Sequence, residues 1–326
     1  MAPTDQSAAA HEPPPRIGVS ACLLGQQVRF DGGHKRSEFL VEVFGRFVEF
    51  VPFCPEVELG LGVPRETLRI ERRDGEIRLI ANRSGADHTA AMRTLADRRT
   101  AAIARDDLSG YVLKKDSPSC GMERVRIYPA NGTPARDGRG LFAEALMRRY
   151  PNLPVEEEGR LNDARIRENF IERVFAYRRL RNFFSARWTV GGLVAFHTVH
   201  KLQLLAHAPK AYAELGRIVA GARAIDRAEL RDRYEREFMA ALARPATAAR
   251  HVNVMQHMAG YFSDRLDPGA RQELTGLIED YRGGLVPLIV PITLMRHYVR
   301  HFAIDYLAGQ VYLEPHPREL MLRNHV

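Results

Sequence analysis

Ile17-Gly-Val-Ser-Ala-Cys-Leu-Leu24 reads as a buried β-strand that ends in a cysteine. Two further segments repeat that layout. Val48 to Phe53 is a second apolar strand, followed at once by Cys54 and Pro55, and Gly110-Tyr-Val-Leu-Lys114 is a third, followed by Lys115-Asp-Ser-Pro-Ser-Cys120. Helical patterns at 38–47, 88–105 and 141–150 separate the strands, with Asp87 placed to cap the middle one. Strands alternating with helices predict an α/β domain with a mainly parallel sheet flanked by helices. Thr67 to Arg72 and Glu76 to Ala81 flank a turn and predict a hairpin, and Val125-Arg-Ile-Tyr128 predicts another strand.

Past Pro154 the pattern changes. Asp163 to Phe184 is a long amphipathic helix, and the segments 193–206, 211–222, 227–242, 247–266, 270–282 and 285–307 are all helical in period. The expected organisation is a disordered lead over 1–15, an α/β domain over 16–160 and an all-α C-terminal domain over 161–326. The length of 326 residues suits two domains. Trp188 opens the helical part as a packing anchor.

The longest apolar run, Gly284 to Met295, is short for a membrane span and carries two prolines. The N-terminus lacks a basic start followed by an apolar stretch, so no secretory signal is expected and the cytoplasm is the expected location. No obligatory protein partner is evident. The net charge of +8 is uneven: +1 over residues 1–165 and +7 over 166–326, where nine of the twelve histidines also fall. A basic surplus in one half suits a polyanion such as nucleic acid, and equally suits arginine-covered helices.

Three cysteines in a reducing compartment argue against a disulfide framework. Thiols at the carboxyl ends of separate parallel strands meet where open α/β sheets bind ligands. Three soft donors suit zinc or an iron–sulfur cluster, while three unrelated buried cysteines acting as small hydrophobes fit the spacing as well. The Cys-x-x-Cys pairs of zinc ribbons are absent. Ser-His-Asp and P-loop patterns are also absent. His297 and His301 stand one helical turn apart without the accompanying glutamate of a zinc helix. Gly138-x-Gly140 opens a helix that can receive an anion.

Five segments together resemble the thiouracil desulfidase (TudS) family: Val19-Ser-Ala-Cys-Leu-Leu-Gly25, Arg29-Phe-Asp-Gly-Gly33, Pro52-Phe-Cys-Pro-Glu56, Lys114-Lys-Asp-Ser-Pro-Ser-Cys-Gly121 and Asp137-Gly-Arg-Gly140. The resemblance implies a [4Fe-4S] cluster bound by Cys22, Cys54 and Cys120, and a non-redox exchange of C=S for C=O on a thiolated base. It implies Glu56 as the catalytic carboxylate, with Ser117 or Ser119 as its assistant. Arg29, Asp31, Gly32, Gly33, Lys114 and Lys115 are the candidate substrate contacts. Asp31 is equally placed to cap a turn, and Phe30 stands where a tyrosine is expected.

Phe196-His-Thr-Val-His-Lys-Leu-Gln-Leu-Leu-Ala-His207 and Pro315-His-Pro-Arg-Glu-Leu-Met-Leu-Arg-Asn-His325 resemble the YbgA-like helical domain. The pair of domains resembles desulfidases that act on 4-thiouridine in tRNA, with the helical part binding RNA. Arg178, Arg179, Arg181, His197, Lys201 and Lys210 are the candidate RNA contacts. The alternatives are salvage of free thiouracil or a thiouridine nucleotide, and an iron–sulfur RNA-binding or redox-sensing protein without turnover.

Overall fold

The structure is a computed structural model that describes residues 13–129 and 132–325. Most of the expected N-terminal lead therefore lies outside the described residues. The strands are β1 (Arg16–Ser20), β2 (Glu49–Phe53), β3 (Leu68–Arg73), β4 (Glu76–Ala81), β5 (Leu108–Leu113), β6 (Val125–Pro129), β7 (Ala135–Gly138) and β8 (Val155–Glu157). They form two four-stranded sheets, ordered β2-β1-β5-β8 and β4-β3-β6-β7. The first is wholly parallel. The second is mixed, with β3 parallel to β6 and antiparallel pairs at both edges. The expected α/β class holds, and the hairpin belongs to a sheet of its own.

Burial follows the strand order. β5 is buried at every residue and β1 at all but its first, as central parallel strands covered on both faces must be. β2 is an edge strand, and Pro52, which has no N–H to give the ladder, is tolerated there.

The helices of the first half are α1 (Pro55–Glu58), α2 (Thr89–Ile103) and α3 (Leu141–Arg149). One face of the parallel sheet packs on α3, with the Phe142 ring 4.8 Å from Phe53 and 5.9 Å from Tyr111. α2 lies between the two sheets' cores, with Ala96 and Ile103 toward Tyr111 and with Met92 and Leu95 toward Ile70, Leu79 and Ile127.

The other face of the parallel sheet is covered by α4 (Ala164–Ser185). Phe170, Ile171 and Val174 pack with Ile17, Val19 and Val112. A Cβ on Gly110 would stand 2.8 Å from Val174, so glycine lets the helix approach the strand this closely. The Asp163 carboxylate accepts from the amides of Arg165 and Ile166 and starts the helix.

The remaining helices are α5 (Val190–Val199), α6 (Lys201–His207), α7 (Pro209–Ala220), α8 (Arg227–Leu242), α9 (Ala248–Ala259), α10 (Pro268–Arg282), α11 (Ile289–His301) and α12 (Asp305–Ala308). α4 also packs on α8 through Tyr177, Leu180 and Phe184, so it serves both halves of the chain. The chain end returns to the same helix: Leu320 and Leu322 join the cluster around Phe170.

One expected helix, 193–206, breaks between α5 and α6. The Gln310 side chain fills the break, donating to the Thr198 carbonyl (2.9 Å) and accepting from the Leu202 amide (3.2 Å). These two groups are the ones an unbroken helix would have paired with each other, so an inserted amide replaces one rung of the ladder.

Candidate active site

The carboxyl ends of β1, β2 and β5 open into a cavity of about 380 Å³ lined by Cys22, Cys54 and Cys120. Cys22 lies in a short turn directly after β1, Cys54 directly follows β2, and Cys120 sits in the loop between β5 and β6. Cys22 and Cys120 are buried and Cys54 is half-buried. Burial, reinforced by the neighbouring Cys54, pushes the Cys22 thiol up to about 11. Burial also raises Cys54 and drives Cys120 well above its ordinary range. Burial thus opposes ionisation of all three thiols, and Cys54 adds to that effect at Cys22 and Cys120. Among the described residues, no three His, Cys, Asp or Glu side chains are spaced to hold a single metal ion.

The loop that carries Cys120 is fixed from two sides. The Ser117 hydroxyl accepts from the amides of Ser119 and Cys120 (3.2 and 3.0 Å). The Ser119 carbonyl accepts from the amides of Phe142 and Ala143, and the Pro118 carbonyl from that of Leu141. The N-terminal amides of α3 are therefore filled by the thiol loop, and the expectation that Gly138 and Gly140 open an anion site is corrected. Gly140 has a different purpose: a Cβ there would lie 2.5 Å from the Ser119 carbonyl carbon and 2.7 Å from the Cys120 nitrogen. Only glycine lets the helix start touch the thiol loop backbone.

Glu56, in the first turn of α1, lines the same cavity. Its Oε2 accepts two bonds from Arg65, Nε at 2.9 Å and Nη2 at 2.7 Å. Its Oε1 accepts from the Ser119 hydroxyl at 2.9 Å. Arg65 also donates to the Val28 and Gly62 carbonyls, and its side chain is only 6% exposed. Of the two candidate serines, Ser119 touches Glu56, whereas Ser117 shapes the backbone. Arg65 was not foreseen, because an arginine nine positions from the glutamate in a glycine-rich loop carries no periodic signal.

Arg29, Lys114 and Lys115 line the cavity, whereas Asp31, Gly32 and Gly33 form a tight turn beside it. Asp31 caps that turn, accepting from the Gly33 amide at 3.0 Å, and this bond holds its carboxyl below the usual range. The Lys114 ammonium is paired with Glu158 at 2.5 Å. Arg29 lies over the Phe30 ring at 5.1 Å, and its Nε is ion-paired with the Asp31 carboxylate at 3.5 Å. A second groove, sharing Leu68, Asp116 and Pro118 with the first cavity, carries Arg69, Arg126 and Arg136.

The expected RNA contacts divide. Arg178 is buried and paired with Asp107 at 2.5 Å, and Arg181 reaches the same carboxylate at 3.1 Å. Arg179 donates to the Pro315 carbonyl. These three hold α4 to the start of β5 and to the C-terminal segment. His197 is buried, 3.2 Å from the Tyr234 hydroxyl and stacked on Tyr212. The placement of Arg178 and His197 at an RNA surface is corrected: both side chains are buried, Arg178 turned inward onto Asp107 and His197 onto Tyr234 and Tyr212. Lys201 is half-buried with its ammonium 5.8 Å from the Tyr306 ring, and Lys210 is exposed. His297 and His301 stack in the open with ring centres 5.8 Å apart.

The α/β domain thus brings three thiols from its parallel strand ends and an arginine-clamped carboxylate to one cavity. Residues 17–158 match the family described as 2-thiouracil desulfurase, and residues 201–317 match the one described as a protein of unknown function, DUF1722. The uncharacterized protein YbgA of Escherichia coli (strain K12) is 33% identical over 165 residues, which are 50% of this chain and 98% of YbgA. The uncharacterized protein YbbK of Bacillus subtilis (strain 168) is 31% identical over 153 residues, 45% of this chain and 98% of YbbK. A solved structure, the [4Fe-4S]-dependent thiouracil desulfidase TudS, is 34% identical and covers 46% of this chain and 94% of its own, with a TM-score of 0.38. The chain belongs to the 2-thiouracil desulfurase family, with a YbgA-like DUF1722 domain following the desulfurase domain. Among the described residues no helix is long and apolar enough to cross a membrane.

Proposed function

We propose that this protein is a [4Fe-4S]-dependent, non-redox desulfidase that converts 4-thiouridine in tRNA to uridine and releases sulfide. The observation that carries the reading is the meeting of Cys22, Cys54, Cys120 and Glu56 on one cavity. The donor set fits the cluster: three soft thiols on one buried wall, each raised by burial and so in need of a cationic centre to ionise. Cys22, Cys54 and Cys120 would hold it, and when bound it supplies Lewis acidity toward the thiocarbonyl sulfur.

The chain's own residues do the rest. Glu56 accepts a proton from the attacking water and returns it to the departing sulfur or the ring, so that C=S and H₂O give C=O and H₂S with no change of oxidation state. Arg65 and Ser119 fix one carboxylate oxygen each and hold the orientation for that transfer. Arg29 lines the cavity, where its guanidinium is placed to meet a base or ribose oxygen.

A polynucleotide substrate is supported by the groove with Arg69, Arg126 and Arg136, which continues from the cavity mouth and suits phosphates flanking an extruded base. Lys210, Lys201 and the basic balance of the second half add to that support.

The test is anaerobic cluster reconstitution followed by incubation with 4-thiouridine tRNA, following near-ultraviolet absorbance and released sulfide. Cluster-dependent loss of the thiobase is expected. Turnover of free thionucleotide alone would make it a salvage enzyme, and a cluster without turnover of either would make it a sensor or binder.

A further inference from the structure

One cavity in the helical half belongs to none of the chemistry above. A cavity of about 500 Å³ lies between α4, the start of α9, the end of α10 and the chain terminus, within the roughly 300–1,000 Å³ range of small-molecule sites. Its inner wall is built from buried polar side chains. Glu172 and His207 are 3% and 2% exposed. Glu172 accepts from Gln203 at 2.8 Å, and His207 Nδ1 is bonded to the Arg244 carbonyl at 2.7 Å. His207 Nε2, 3.4 Å from Glu172, is buried without a hydrogen-bond partner. Glu168 completes the wall, 3.4 Å from Arg323 and 3.4 Å from His325.

Charge inside this wall is balanced, Glu172 against His207 and Glu168 against Arg323. An ion gains little there, whereas a neutral ligand with donors and acceptors along one edge gains much. Tyr281, Val286, Leu288 and Ala246 supply apolar sides that accept a flat ring. The mouth differs in sign. Arg165 and Arg282 are exposed at it, and Ala248 brings the N-terminus of α9 to its rim. Two guanidinium groups and a helix N-terminus favour an anion.

We infer that the helical domain holds a second ligand site for a mononucleotide, its base edge on Glu168, Glu172 and His207 and its phosphate between Arg165 and Arg282. The nucleotide is either free or an unstacked residue of an RNA strand. The site is separate from the thiol cavity and stands whether or not the desulfidase reading does.

The test is calorimetric titration of the full chain with each of AMP, GMP, CMP and UMP, with inorganic phosphate and uridine as fragments. At least one nucleotide is expected to bind ten-fold or more tighter than either fragment. Arg165→Ala and Arg282→Ala, both at exposed positions, are expected to weaken it about ten-fold each without lowering Tm. Arg126→Ala, in the groove beside the thiols, is expected to leave that affinity in place. Binding of no nucleotide, phosphate binding as tightly as the nucleotide, or loss of binding in Arg126→Ala alone overturns the inference. Displacement of the bound nucleotide by a short single-stranded RNA assigns the site to RNA, and its failure to displace assigns it to the free nucleotide. Either result keeps the site.

Discussion

The Ser119 hydroxyl donates to Glu56 Oε1 at 2.9 Å, one residue before the Cys120 thiol in the same loop. Glu56, the proposed general base, and one thiol thus share a support, so the carboxylate cannot turn from the cavity without breaking a bond to that loop. Ser119→Ala is expected to lower kcat about ten-fold with iron content unchanged. Glu56→Gln is expected to lower it about a hundred-fold or more, the usual weight of a general base. Single-turnover decay of thiobase absorbance, read beside iron per chain, checks both; unchanged rates would remove Glu56 from the mechanism.

Arg65 links Glu56 to the Val28 and Gly62 carbonyls. Arg65→Ala leaves a nearly buried carboxylate without two of its three bonds. The expected loss is about 1–3 kcal/mol of stability and a fall in kcat exceeding that of Ser119→Ala. Arg65→Lys keeps the charge but not the fork, so it is expected to recover stability more than rate. Denaturant midpoints and kcat for the pair separate the two effects.

Gly140→Ala places a methyl group against the Ser119–Cys120 peptide. Overpacking of this kind costs about 1–3 kcal/mol, here concentrated on the loop of the third thiol. Reconstituted protein is expected to carry less iron per chain and to lose it faster in air. Equal iron content and retention in wild type and variant would refute this.

The buried wall of the second cavity gives a defined pH profile. Burial opposes the charge on Glu172, but His207 outweighs it and holds the carboxyl below its ordinary 4.5, so that contribution is lost as pH falls below 4.5. Burial likewise opposes charge on His207, and Glu172 outweighs it and raises the imidazole above 6.5, so its contribution is lost as pH rises past 6.5. Burial pushes Glu168 from 4.5 up to about 7, so its contribution is also lost as pH climbs between those values. Stability from this cluster is therefore expected to peak near pH 4.5, to decline through pH 7 as Glu168 ionises, and to decline further above pH 6.5 as His207 loses its proton. Glu168→Gln is expected to remove on the order of 3 kcal/mol of that decline, at 1.36 kcal/mol per unit. Glu172→Gln, which breaks a buried pair, is expected to cost about 3–5 kcal/mol at pH 6. Chemical denaturation across pH 4 to 8 measures both.

The strands and helices of the first half were legible because period-two and period-3.6 patterns report burial directly. The helix over 227–242 was placed to the residue. The split at 199–201 was not, since it depends on Gln310, far away in the chain. The separate second sheet was also hidden, because hairpin patterning does not say which strand pairs next. At the site, the thiols stood out through their shared place after strands. Arg65 did not, and Arg178 and His197 read as surface charge because sequence does not distinguish an arginine paired inward with Asp107 from one in water.

Synthesis runs from one end of the chain, and α4 comes after every strand of the parallel sheet. Until residues 170–174 leave the ribosome, Ile17, Val19 and Val112 lack the cover of Phe170, Ile171 and Val174, and Leu320 and Leu322 join the same cluster later still. The nascent desulfurase half therefore waits, with an apolar face in water, for a helix it shares with the next domain. A translational pause before residue 164 would therefore expose that face to chaperones and to misassociation.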